Sequence, residues 1–231
     1  MSKNMIFVHS GTGNCLDIAK NIAARLGDTD IVLMRSAPAV TDCTGAERVG
    51  FVFPCYAGYP GIGLSVINEI VGLDYWTGIS HQSACIWLMP HTLMIPSLSA
   101  EKAQERSEKL AFFAAAAVLA GKKSKGKPSA PAFNRLEAKA WPMLCGKKAA
   151  ALAVSEKCVS CGQCEKLCPQ GNIRIENGRP VFGANCIQCL SCLQYCPAEA
   201  IHMGGATLTR ERYHNPNVTA AELMQSVIHV D

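Results

Sequence analysis

A chain of 231 residues with 49% hydrophobic content can bury one or two cores, and its formal charge is +4. That charge sits in one middle stretch, with residues 1–100 at net −2, residues 101–148 at net +7 and residues 149–231 at net −1, so a basic pI alone does not support nucleic-acid binding. Thirteen cysteines follow an opening, "MSKNMIFVHS", without the anatomy of a secretion signal, which favours metal or redox chemistry over disulfides. The longest apolar run, residues 111–120, is about half of what a bilayer span needs. The expectation is a cytoplasmic protein with no membrane span and no nucleic-acid partner.

In chain order, "KNMIFVHS" reads as a short buried strand, and "SGTGN" follows it. Cys15, Ile18, Ala19, Ile22, Ala23 and Leu26 then recur at helical spacing up to Gly27, a natural C-cap. Strand, glycine-containing hydroxyl loop and helix together present backbone N–H groups and a positive dipole end to an anion. The loop lacks G-K-[ST], so it is not a nucleoside-triphosphate loop; Ser10, Thr12 and Asn14 offer neutral donors suited to a single terminal phosphate. A further strand, "RVGFVF", leads into "PCYAGYP", where Tyr56 would present an aromatic face beside Gly58. Taken singly, the first loop is equally a turn with a helix cap and Tyr56 an ordinary loop aromatic.

Together the two loops resemble the phosphate and isoalloxazine loops of flavodoxins. The resemblance implies FMN, held by Ser10, Gly11, Thr12, Gly13, Asn14 and Cys15 at the phosphate and by Pro54, Cys55, Tyr56, Ala57 and Gly58 at the ring. Flavodoxin-like domains carry five parallel strands and a third flavin loop. Here strand segments fall near residues 4–9, 30–35, 48–54 and 82–89, one βα unit short, so the expected sheet has four strands and a more open pocket.

Ser99 with Glu101 starts a helix that runs through an alanine-rich end to Gly121, read as packed helix rather than membrane anchor. "GKKSKGKPSAP" is a basic, breaker-rich linker, and "FNRLEAKAWPMLCGKK" is helix-like. The expected domains are 1–125, a connection at 126–148, and 149–231 with the C-terminal tail.

"CVSCGQCEKLCPQ" and, 28 residues on, "CIQCLSCLQYCPA" both read C-x2-C-x2-C-x3-C-P. Zinc sites pair two cysteines, insert a long spacer and pair two more. Three thiolates within seven residues suit three corners of a cubane instead. Ile173 and Ile201 keep the same 28-residue offset, and "NIRIENGRPVF" reads as a hairpin turning at Asn177-Gly178. The region resembles bacterial two-cluster ferredoxins, in which the fourth cysteine of each run ligates the other run's cluster. The resemblance implies two [4Fe-4S] clusters, one on Cys158, Cys161, Cys164 and Cys196, the other on Cys186, Cys189, Cys192 and Cys168. With eight thiolates on two dicationic cores the net charge falls to about zero. Cys15, Cys43, Cys55, Cys85 and Cys145 are not spaced as ligands and are expected to be small buried hydrophobes.

The order of the two halves, "LMPHTLMIPSLSAEKAQE" before the long helix and the tail "RERYHNPNVTAAEL" resemble a family of fused flavodoxin–ferredoxin electron-transfer proteins, mostly from anaerobes. The implied fold is a flavodoxin-like parallel sheet followed by a small α+β two-cluster domain. The implied function is electron transfer with a redox protein as donor or acceptor. Two alternatives stay open: a flavin-dependent reductase using the clusters as an internal relay, and a docking or sensor protein with a vestigial flavin site.

Overall fold

The computed structural model describes residues 2–35, 41–54, 75, 100–125, 150–208 and 211–231. The expected strand at 82–89, the ring-loop residues Cys55, Tyr56, Ala57 and Gly58, the connection at 126–148, and Cys85 and Cys145 lie outside these residues.

Strand β1 (Asn4–Val8) is buried along its whole length, as its unbroken apolar run requires in a sheet covered on both faces. It pairs in parallel with β2 (Thr29–Leu33) on one side and β3 (Arg48–Val52) on the other, Ile6 standing level with Ile31 and Gly50. Helix α1 (Asn14–Leu26) crosses between β1 and β2 and ends at Gly27, whose φ of 65° the absence of a Cβ allows. Its apolar stripe, with Leu16, Ala19 and Ala23 fully enclosed, packs against Ile6, Val8, Ile31 and Leu33. Met5, Phe7 and Val32 form a smaller cluster on the opposite face, where Phe7 stacks on Phe51 with ring centroids 5.4 Å apart.

The fourth described strand of this sheet is not a continuation of the parallel series. It is β8 (Val227–Val230), from the C-terminal tail, antiparallel to β2 with Thr29 opposite Val230 and Val32 opposite Val227. The tail read with the cysteine-rich segment therefore completes the edge of the N-terminal sheet. An antiparallel edge strand on a parallel sheet is a common arrangement.

Helix α2 (Ala100–Leu119) buries Ala103, Ser107, Ala111, Ala114 and Ala115 along one face, and small side chains allow close approach to α1. Gln104 Nε2 donates to Asp17 Oδ2 at 2.8 Å, and the Arg25 guanidinium lies 4.1 Å from the Phe112 ring centre. Among the described residues no helix is long and apolar enough to cross a membrane.

The cysteine-rich segment contains two antiparallel pairs. Strand β4 (Leu152–Val154) pairs with β7 (Ile201–Met203), and β5 (Ile173–Glu176) pairs with β6 (Arg179–Phe182). The latter hairpin turns at Asn177 and Gly178, both at positive φ (48° and 76°), as a two-residue turn of the primed type demands. Short helices α3 (Gln163–Leu167), α4 (Ser191–Gln194) and α5 (Ala220–Leu223) lie in the same C-terminal part. Leu167, Tyr195, Val218 and Leu223 belong to the same buried cluster as Ile6, Leu16 and Ile31. The sheet and the cysteine-rich segment thus share a core.

Candidate functional site

The 28-residue offset in the sequence reappears in the backbone. Ser160 and Gln188 have φ of 56° and 57°, Gly162 and Leu190 have 71° and 62°, and Gly171 and Glu199 have 56° and 47°. Non-glycine residues hold left-handed conformations only where the surroundings fix them. Here they let a short segment curl so that N–H groups face sulfur. Asn172 N–H donates to Cys168 Sγ at 3.2 Å, and at the equivalent place Ala200 N–H donates to Cys196 Sγ at 3.3 Å. Gln188 N–H lies 3.4 Å from Cys186 Sγ. Such donors favour thiolates over thiols.

The eight cysteines line two cavities. Cys158, Cys161, Cys164 and Cys196 stand around one, with Pro180 and Ile201 also in its wall. Cys168, Cys186, Cys189 and Cys192 stand around the other, with Leu193 and Met203 also in its wall. Each set takes three cysteines from one run and the last from the other. Among the described residues no three Cys, His, Asp or Glu side chains converge on a point that a single metal ion would occupy. Four thiols around each cavity are a donor set that fits an iron–sulfur cluster. Burial pushes the Cys164 and Cys189 thiols up to about 11, raises Cys186, and raises Cys192 well above the usual thiol range, with neighbouring cysteines adding to it. These groups are neutral thiols near pH 7 unless a cation draws the proton off, so metal loading releases protons.

The two cavities differ in their surroundings. Cys161 is exposed, and beside it Val159 is 65% exposed, a large apolar side chain facing solvent. The other cavity abuts the N-terminal half. The Cys189 backbone carbonyl packs directly on Gly11, leaving no room for a Cβ, and Ser191 Oγ donates to the Gly11 carbonyl at 2.7 Å.

Further contacts fasten the "SGTGN" loop from the same side. Asn215 N–H donates to the Thr12 carbonyl at 2.8 Å, and the Tyr213 hydroxyl donates to Asn14 Oδ1 at 2.9 Å. Gly13, with φ of 89°, is the N-cap of α1, and a Cβ there would lie 2.6 Å from Tyr195 Oη. The carbonyls of Gly11 and Thr12 and the Asn14 side chain are thereby committed. Among the described residues no hydrogen bond engages the Ser10 or Thr12 hydroxyl, or the N–H groups of Gly11, Thr12 and Gly13. Unspent donors at the start of a 13-residue helix fit a phosphate. Cys15 is buried in the core, as expected of a small hydrophobe, Cys43 is half-buried, and Pro54 is half-buried just beyond β3.

Ser191, Tyr195 and Arg35 carry no mark in the sequence, whereas Arg212 is the arginine of the tail's Arg-Tyr-His-x-Pro run. Arg35 reaches from the end of β2 to the Lys166 carbonyl, and Arg212 contacts the Ile201 carbonyl at 2.8 Å.

Residues 157–201 match the family model of the 4Fe-4S dicluster domain. The C-terminal part of the chain therefore contains a ferredoxin-type iron–sulfur domain, joined to a mixed α/β region with a parallel-containing sheet. A dicluster domain of this kind suggests a role in electron transfer. No curated protein and no solved structure matches the chain.

Proposed function

We propose that the chain is an electron-transfer protein with a [4Fe-4S] cluster on Cys158, Cys161, Cys164 and Cys196, a second on Cys168, Cys186, Cys189 and Cys192, and FMN phosphate on the "SGTGN" loop. The observation that carries this reading is the division of eight thiols between two cavities, one of them in backbone contact with that loop. When bound, the clusters supply one-electron carriers and FMN a group able to take electrons singly or in pairs.

The chain's own residues order these groups. A redox protein, donor or acceptor, would approach on the side of Cys161 and Val159, both of which are exposed. Crossed ligation by Cys168 and Cys196 ties the two cavities together through covalent backbone. Ser191 and the Cys189 carbonyl hold the inner cavity against Gly11. Ser10 and Thr12 donate their hydroxyls to the phosphate, the N–H groups of Gly11, Thr12 and Gly13 add to them, and the positive end of α1 favours its charge. Pro54, Cys55, Tyr56, Ala57 and Gly58 line the ring in this reading.

The test is flavin and iron content in one preparation. Wild-type protein reconstituted anaerobically should retain FMN through gel filtration. Thr12→Ala should weaken FMN about ten- to a hundredfold, the worth of one hydrogen bond to a charged oxygen, with iron unchanged. Wild-type protein that loads its iron but refuses FMN would leave the loop as a docking seat alone.

A further inference from the structure

Each cavity has an arginine beside it, and both arginines come from outside the dicluster segment at 157–201. Arg35 follows β2, and its Nη1 donates to the Leu223 carbonyl at 3.1 Å while its Nη2 donates to the Lys166 carbonyl. Lys166 precedes Cys168 by two residues, so the guanidinium is pinned at the end of α3 where Cys168 begins. Burial lowers the Arg35 pKa, and Cys168 and Cys189 act in the opposite direction, which places their charges within electrostatic reach. Arg212 is fixed by its Nη2, 2.8 Å from the Ile201 carbonyl and 3.1 Å from His202 Nδ1. Its Nε and Nη1 are buried with no partner among the described residues. Buried guanidinium donors without an acceptor call for an explanation. Burial lowers the Arg212 pKa too, and the negative groups that offset it are Glu199 and Cys196.

We infer that Arg35 and Arg212 are positioned to set the reduction potentials of the two clusters, Arg35 for the one on Cys168, Cys186, Cys189 and Cys192, and Arg212 for the one on Cys158, Cys161, Cys164 and Cys196. The inference rests on the proposed occupancy of the two cavities. Reduction adds a negative charge to a core already surrounded by four thiolates. A fixed cation stabilises the reduced state more than the oxidised one and so raises the potential. Arginine keeps its charge at any working pH, and its guanidinium is weakly hydrated enough to sit half-buried. The N-terminal half and the tail thus govern the electronics of a domain they do not belong to.

Anaerobic redox titrations of full-length Arg35→Gln and Arg212→Gln, monitored by electron paramagnetic resonance with iron and sulfide counted in each sample, test this. Arg35→Gln should move the potential of the cluster on Cys168, Cys186, Cys189 and Cys192 to a more negative value and leave the other in place, and Arg212→Gln should lower the potential of the cluster on Cys158, Cys161, Cys164 and Cys196 and leave the first in place. Arg35→Lys and Arg212→Lys, which keep the charge, should return most of each shift. A merely structural role would lower iron content and leave the potentials of loaded clusters unchanged. Full iron with wild-type potentials in the glutamine variants, or lysine variants displaced as far as the glutamine ones, overturns the inference while the electron-transfer reading stands. Wild-type protein without stoichiometric iron and sulfide overturns that reading and the inference with it.

Discussion

Gly13 shows how a single position serves both halves of the molecule. Its φ of 89° disfavours any L side chain, and a Cβ would fall 2.6 Å from Tyr195 Oη and 2.9 Å from Val218 Cβ. Gly13→Ala should therefore lower stability by about 1–3 kcal/mol, the usual cost of overpacking, measured as a fall in the midpoint of chemical denaturation of the holoprotein. A neutral result would mean that the tail does not seat on the loop. Cys168 makes a second prediction. It lines the cavity of Cys186, Cys189 and Cys192, so Cys168→Ser should disturb that cluster's spectrum and spare the one beside the exposed Cys161. The reverse outcome would contradict crossed ligation. The thiols were legible in the sequence because a cluster takes most of its ligands from one short run, which fixes their spacing. Ser191 and Arg35 were not, because their partners lie 180 and 131 residues away along the chain and no local pattern records them.

At the scale of elements, β8 depends on polar contacts as well as on its ladder. His229 Nδ1 lies 2.8 Å from Asp30 Oδ1 and 3.3 Å from Ser2 Oγ, and its Nε2 lies 3.2 Å from Asp231 Oδ1. The hydrogen bond to Asp30 is the main reason that the His229 pKa lies above 6.5. Partial burial pushes the Asp30 carboxyl up, but bonding from His229 and Ser2 outweighs it and holds its pKa below 3.8. A raised folded-state value means that the His229 contribution is complete below 6.5 and is lost as pH rises through the raised pKa. The Asp30 contribution is complete above 3.8 and is lost as pH falls through its lowered pKa. The β8 amides should therefore exchange faster at pH 9 than at pH 6, beyond the intrinsic rate change, and His229→Ala should remove the difference. An imidazole resonance titrating at or below 6.5 would contradict the pairing. Strands β1, β2 and β3 and helices α1 and α2 were readable from hydrophobic period and caps, because burial stamps those patterns locally. Strand β8 was not: four residues alternating between exposed and half-buried have no signature until β2 is beside them.

Among the described residues one core crosses from the sheet into the dicluster segment and the tail, through Leu167, Tyr195, Val218 and Leu223. Two separate units were the natural reading of the sequence, since each half carries its own motif and a breaker-rich stretch lies between them. The side chains that join them are isolated apolar residues inside motifs explained in other ways. Because a small cysteine-rich domain draws much of its folding energy from its metal, removing iron should loosen the sheet as well. Apoprotein should show a lower melting temperature and weaker amide protection in β1 and β2 than holoprotein, while unchanged protection there would mean that the shared core does not couple the halves. All of this stands on what fills the two cavities. Iron and acid-labile sulfide counted on the anaerobically reconstituted full chain address that directly: the account predicts about eight of each per chain, two four-iron clusters' worth, and stoichiometric zinc with no sulfide would contradict it.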